Sequence, residues 1–177
     1  MKLLSYIKLL LEWNEIHNLS GKLNLQDLKR QVLASIYPRH KLAPFKTCLD
    51  IGTGAGLPAL PLSIVFPKSH FYLVEPRLKR ASFLNYVKLK LGLDNISIYQ
   101  KRIQECEFKN IDLITSRAVG DLDLILDLSA HIATKTTNYL LYKSSSFEES
   151  TLIDKDLLVK FIMKKCDFTY VYFSKSF

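Results

Sequence analysis

The stretch Thr47-Cys48-Leu49-Asp50-Ile51-Gly52-Thr53-Gly54-Ala55-Gly56-Leu57-Pro58 decides how the chain is read. An apolar, β-prone run ends in an acid and three glycines spaced G-x-G-x-G. Ala59, Leu60, Leu62, Ile64 and Val65 then read as a helix that starts near Pro58. Strand, glycine-rich turn and helix together make a cradle for a small ligand. Glycine lets the backbone turn sharply and approach a ligand where a Cβ would block it. The helix behind the turn directs free N–H groups and its positive end toward any anionic group held there. A tight turn without a ligand needs fewer glycines.

Spacing then selects among ligands. A dinucleotide fingerprint, G-x-G-x-x-G, would place its third glycine at position 57, where the chain has Leu57. A phosphate-binding P-loop would need Gly-Lys-Ser/Thr at the end of a longer loop, and none is present. Asp50-x-Gly52-x-Gly54-x-Gly56 instead resembles motif I of the S-adenosylmethionine-dependent methyltransferases with a Rossmann-like fold.

Outward from this stretch, strands and helices alternate, the signature of a parallel α/β sheet. Strands are predicted over 47–51, 70–75, 96–100, 111–115 and 137–142, with helices over 58–66, 77–91 (closed by Gly92) and 121–133 (begun by Asp121). The tail holds two apolar runs, Leu157 to Met163 and Phe168 to Phe173, that suit an antiparallel hairpin, with an amphipathic helix over 152–163 as the competing reading. Upstream, 1–19 reads as an amphipathic helix stopped by Ser20-Gly21, 25–36 as a second helix, and 37–46 as a connection. One domain over 1–177 is expected, with 1–46 as a helical extension and 47–177 as the α/β core.

Composition narrows the setting. The 177 residues are 48% hydrophobic and 24% charged, ordinary for a globular protein. The apolar runs fall short of the roughly 20 residues that span a membrane. Cys48, Cys106 and Cys166 are odd in number and spread out, which fits buried thiols in a reducing cytoplasm and no metal site. A formal charge of +8 favours a polyanionic partner, nucleic acid being the commonest.

In such a sheet, ligands sit beyond the carboxyl ends of the strands. Asp50 with Gly52, Thr53, Gly54, Gly56 and Leu57 follows strand one. Glu75 ends strand two, where a carboxylate accepts both ribose hydroxyls, or else forms a surface ion pair with Arg77 or Lys79. Ile103 and Gln104 follow strand three, where an adenine would lie; Gln104 reads equally as an exposed turn. Arg117, in Ser116-Arg117-Ala118 after strand four, suits a carboxylate or a phosphate, or else helix-end carbonyls. Lys143 stands at the equivalent end of strand five. Asn14 and Asn18 continue the leucine face of the first helix, as substrate-positioning groups or as helix caps.

Taken together, Trp13-Asn14-x-x-x-Asn18-Leu19-Ser20, the stretch from Asp50 to Pro61, Lys79-Arg80 with Phe83-Leu84, and Ser116-Arg117-Ala118 occur in the order found in the RsmG (GidB) family, which the chain resembles over about residues 6–143. The resemblance implies the Rossmann-like methyltransferase fold: a mostly parallel twisted sheet with an antiparallel C-terminal strand and an N-terminal helical extension. It implies methyl transfer from S-adenosylmethionine to N7 of a guanine in 16S ribosomal RNA, on the RNA or the small subunit, by a cytoplasmic monomer. By resemblance Gly52, Leu57, Ile103, Gln104 and Arg117 fall on cofactor contacts and Glu75 on the acidic ribose position. Guanine N7 carries no proton, so Arg117, Asn14 and Asn18 are expected to position and no general base is needed. The chain departs from the family at Ala59 (usually Gly), at Gln104 (usually Glu) and over Gln31-Val32-Leu33-Ala34-Ser35 (often His-x-x-Asp-Ser). A methyltransferase for small molecules or proteins, and a non-catalytic S-adenosylmethionine- or NAD-binding protein, remain open at this point.

Overall fold

The computed structural model describes residues 1–19, 24–153, 155–165 and 167–176. The expected stop at Ser20-Gly21, and Cys166, lie outside them. Five α-helices are described, α1 (Lys2–His17), α2 (Leu25–Ile36), α3 (Ala59–Val65), α4 (Leu78–Leu91) and α5 (Leu122–Ser129). The strands are β1 (Thr47–Ile51), β2 (His70–Val74), β3 (Ile96–Tyr99), β4 (Leu113–Arg117), β5 (Asn138–Ser144), β6 (Leu157–Lys165) and β7 (Phe168–Lys175). They form one sheet in the order β3-β2-β1-β4-β5-β7-β6. Pairing is parallel from β3 to β5, while β7 runs antiparallel to both β5 and β6.

Side chains alternate across a strand, so each strand feeds two cores. Cys48, Phe71, Leu73, Leu113, Leu140, Tyr142 and Tyr170 face the layer of α1, α2, α3 and α4. Leu49, Ile51, Val74, Ile114, Tyr139, Leu141 and Val171 face α5 and the 3-10 turn Ile103–Glu105. Both faces are covered, as parallel sheets require. On the first face Tyr6, Leu10, Leu28, Leu60, Phe83 and Leu84 are at most 1% exposed. Each such side chain contributes roughly 2 kcal/mol through apolar burial. The two N-terminal helices therefore share the core of the sheet.

Tyrosines fix those helices in place. Tyr6 of α1 donates its hydroxyl to the Ala55 carbonyl in the glycine turn at 2.8 Å. Tyr142 and Tyr170 donate to the Ser35 and Ala34 carbonyls at 2.6 and 3.0 Å, tying the last turn of α2 to β5 and β7.

Three expectations need correction. Strand four runs Leu113–Arg117 and not 111–115, because Asp112 turns its carboxylate back to the Lys46 and Thr47 N–H groups (2.7 and 3.0 Å). Arg117 is thus in the ladder, opposite Tyr142, and Lys143 is likewise inside β5. The helix predicted over 121–133 ends at Ser129, whose hydroxyl bonds the Ile125 carbonyl while the chain tightens into a turn. Pro58 precedes α3 at its N-cap, after a cis Leu57–Pro58 peptide. The hairpin is present, and among the described residues of 152–163 no helix occurs beyond the 3-10 turn Glu149–Leu152. Among the described residues, no helix is long and apolar enough to cross a membrane.

Candidate functional site

The strand order reverses between β1 and β4, and a crevice opens beyond their carboxyl ends. The glycine turn forms its floor. Gly54 has φ +61° and an added Cβ would meet nothing closer than 3.9 Å, so it is glycine for its backbone conformation and faces open space. Gly56 has φ +96° and a Cβ there would lie 2.3 Å from Leu60 Cδ1, so it is glycine because α3 packs against it.

Two cavities meet at Gly52. The first, about 290 Å³, is lined by Leu10, Gln31, Thr53, Leu57, Arg80 and Arg117 among others. The second, about 170 Å³, is a nearly apolar slot of Ile51, Val74, Pro76, Ile103, Val119 and Leu128, with Gln104 and Arg102 at its edge. An elongated ligand with a charged amino-acid end and a flat aromatic end fits this pair. Arg80 and Arg117 suit the carboxylate of such a ligand. The slot suits the ring, and the amide of Gln104, which is exposed, suits the ring's polar edge. Thr53 supplies a buried hydroxyl with no partner at the wall of the first cavity.

The acids behave otherwise than expected. Glu75 is 2% exposed and lines neither cavity. Its carboxylate accepts the Gly54 N–H (3.0 Å) and the Arg77 N–H (2.9 Å), and Arg80 Nη1 lies 3.8 Å away. It holds the glycine turn, and the surface ion-pair reading falls. A second lone pair on each oxygen stays available for a ribose hydroxyl. Asp50 is completely buried beneath the turn and contacts neither cavity, which corrects its place among the cofactor contacts. Its Oδ1 accepts from Thr115 Oγ1 at 2.7 Å, while Oδ2 completes no hydrogen bond.

Burial pushes the Asp50 carboxyl up to about 6, against the opposing pull of the nearby Thr53 and Thr115 hydroxyls and of Arg117. The folded form then binds a proton that the unfolded chain, with its ordinary carboxyl, has already released. Stability from the protonated acid is complete below about pH 4 and lost as the pH rises through about 6. Asn at this position cannot ionise. The unfolding free energy of ligand-free Asp50→Asn should therefore gain on the parent by up to about 3 kcal/mol between pH 4 and 7. Urea titrations across that range check this, and a pH-independent difference would show that the carboxyl titrates normally.

Arg117 stands at the shared wall of the first cavity and a third, about 670 Å³, lined also by Gln31, Ala118, Tyr142, Lys143 and Phe168. It donates through Nη2 to Gln31 Oε1 at 3.2 Å and lies 5.8 Å from the Phe168 ring centre, so the helix-end reading falls. Burial lowers its pKa while Tyr6, Asp50, Tyr142 and Tyr170 oppose the shift. A guanidinium stays charged under such a shift. Lys143 donates to the Gly120 carbonyl at 2.7 Å, and burial lowers its pKa.

Asn14 and Asn18 line none of these three cavities. Asn18 is the left-handed C-cap of α1 (φ +47°), its N–H bonded to the Asn14 carbonyl at 2.9 Å, so the capping reading holds for it. Sequence reasoning passed over Leu10, Val119 and Leu128, and met Arg80 only in the Lys79-Arg80 pair. Arg80 turns inward instead, toward Glu75 and the Leu19 carbonyl (3.4 Å). Its place near the start of α4, one turn beyond Glu75, was the available signal.

Known proteins carry the same pattern. A family model described as rRNA small subunit methyltransferase G (GidB) matches residues 1–169. The ribosomal RNA small subunit methyltransferase G of Wolinella succinogenes is 49% identical over 138 residues, 78% of this chain and 72% of that protein. The protein of that name from Aliarcobacter butzleri is 42% identical over 167 residues, 94% of this chain and 86% of the other. Among solved structures, an MtNAS mutant in complex with S-adenosylmethionine aligns with TM-score 0.69 at 13% identity, covering 96% of this chain and 72% of that one. A fibrillarin/Nop5p complex aligns with TM-score 0.65 at 14% identity, covering 82% and 81%. Identities this low speak for the fold alone. The family match and the curated relatives go further: the chain belongs to the rRNA small subunit methyltransferase G (GidB) family.

Proposed function

We propose that the chain transfers the methyl group of S-adenosylmethionine to N7 of a guanine in 16S ribosomal RNA, with the cofactor across the two cavities that meet at Gly52 and the acceptor base in the third. The observation that carries this reading is the position of Arg117, with Gln31 and Ala118, on the wall common to cofactor and acceptor cavities. When bound, S-adenosylmethionine supplies a methyl group on a sulfonium, already activated for transfer.

The chain's task is then placement. Guanine N7 presents an in-plane lone pair and no proton, so no residue has to remove one. Gly52, Thr53, Gly54 and Leu57 hold the amino-acid end of the cofactor with Arg80 and Arg117. Ile103, Val119 and Gln104 hold its base, and Glu75 fixes the turn and accepts from the ribose. Phe168 gives the acceptor guanine a face to stack on, and Gln31 keeps the Arg117 guanidinium at the junction of the two sites. Holding reactants in a near-attack arrangement accounts for most of the rate in such a reaction.

The N7 edge faces the major groove, which is too narrow in A-form RNA for side chains, so the acceptor is an exposed loop nucleotide. The protein acts as a monomer in the cytoplasm, where small subunits are made. Incubation with labelled S-adenosylmethionine and small subunits from cells lacking the enzyme tests this reading. Label in the RNA is the expected outcome, whereas label in ribosomal protein, or none, would overturn it.

A further inference from the structure

Beside the acceptor cavity lies a groove of about 510 Å³ between α2 and the β6–β7 hairpin, lined by Lys29, Arg30, Leu33, Tyr37, Lys165 and Tyr170 among others. The spacing of α2 explains its outer wall. Leu28, Val32 and Ile36 turn to the core, which leaves Lys29, Leu33 and Tyr37 on the outer face at four-residue intervals. Leu33 is 62% exposed and Tyr37 41%, in a stripe that begins with a cation. Tyr37 packs against Tyr170 with ring centres 5.8 Å apart, and Lys165 Nζ lies 5.9 Å from the Tyr37 ring centre.

Charge separates the groove's cations into two kinds. Arg30 is neutralised, at 3.1 Å from Asp27 and 3.2 Å from Asp167. Lys29 and Lys165 form no ion pair among the described residues, and both are exposed. Two uncompensated ammonium groups flanking an exposed tyrosine match a single-stranded nucleic acid, with phosphates on the cations and a base on the ring.

Position names the occupant. Arg30 borders the groove, while its neighbour Gln31 and its ion-pair partner Asp167 border the acceptor cavity. The Arg30–Asp167 pair thus joins the two linings, and Tyr170 of the groove and Phe168 of the acceptor cavity have ring centres 6.3 Å apart. We infer that this groove is a binding subsite for the single-stranded RNA next to the acceptor guanine, with one flanking base on Tyr37 and the backbone along Lys29 and Lys165. The inference rests on the RNA methylation reading above and adds to it a surface that shares no lining residue with the two cofactor cavities.

The test uses the full chain loaded with S-adenosylmethionine, in the parent, Tyr37→Ala, Tyr37→Phe and Lys29→Glu/Lys165→Glu forms. Two readouts are taken: methyl transfer to unmodified small subunits, and anisotropy of a fluorescent single-stranded oligoribonucleotide at several salt concentrations. KM for the subunit should rise roughly tenfold in Tyr37→Ala and in the double variant, with kcat and S-adenosylmethionine affinity unchanged, the scale of one lost base stack. Tyr37→Phe, which keeps the ring, should behave as the parent. The double variant should also flatten the slope of log affinity against log salt by about 1.4, the loss of two single-strand phosphate contacts.

An active parent whose variants keep their KM would overturn the subsite. So would a raised subunit KM with unchanged oligoribonucleotide binding, which would make the groove a contact for a ribosomal protein. A parent that transfers no methyl yet binds the oligoribonucleotide through these three residues would sink the methylation reading and leave the subsite standing. A parent that does neither would end both.

Discussion

Replacing Arg117 by alanine is expected to lower methyl transfer to small subunits roughly a hundredfold or more. Hydrogen bonds to charged groups are worth about 1.5–3 kcal/mol each. Loss of two, one to the cofactor's carboxylate and one on the acceptor side, accounts for that scale. The residue stands at the end of β4 between two cavities, so both kcat and KM should move. Lysine should not restore activity, because a point charge reproduces neither the planar fork that meets Gln31 nor the guanidinium near the Phe168 ring. The fold should survive, since Arg117 is only partly buried and its hydrogen bond is to a side chain from another element. Steady-state kinetics beside far-UV circular dichroism check this. Undiminished turnover in folded Arg117→Ala would remove the residue from the site.

Glu75→Ala should damage cofactor binding most. The carboxylate is the acceptor for two N–H groups, one of them Gly54 at the centre of the turn, and it neighbours the Arg80 guanidinium. Removing it leaves those donors unpaired in a site that is 2% exposed. An unmet buried donor costs about 1–3 kcal/mol, so the ligand-free protein should lose about 2–4 kcal/mol of stability. Affinity for S-adenosylmethionine should fall at least about a hundredfold, since the turn loses its conformation and the ribose its acceptor. Glu75→Gln keeps one acceptor oxygen and should fall between the two. Calorimetric titration with S-adenosylmethionine and chemical denaturation measure both effects. Normal affinity in a destabilised variant would confine Glu75 to holding the turn.

These two residues also show how legible the site was in the sequence. Glycine spacing and the apolar runs give the sheet and its switch point, because a buried parallel strand can hardly be written in other residues. Arg117 was legible as a residue of the crevice but not as a strand residue. The run Ile111 to Ile114 loses its apolar character at Thr115, Ser116 and Arg117, where the strand continues into the site and carries polar groups for it. Asp50 and Glu75 stood out as acids at strand ends, yet depth was invisible. One lies wholly under the turn and the other bonds its N–H groups. Gln31 and Tyr6 come from helices far away in the chain and reach the crevice only through tertiary packing. Asn18 illustrates the opposite error, since its chemistry suits a substrate but its backbone ends a helix.

The expected product is a guanine methylated at N7, and reduction followed by aniline cleavage reads that product directly. Borohydride reduces the cationic imidazole ring of 7-methylguanine, the weakened base is then lost and aniline breaks the strand at that nucleotide, while a methyl group on N1 or N2 of guanine leaves the strand intact. Small-subunit RNA, modified by the purified protein with S-adenosylmethionine and treated in this way, should break at one position, and RNA from the Arg117→Ala reaction at none. Methylated RNA that stays whole would contradict methylation at N7, because the methyl group would then sit on another atom.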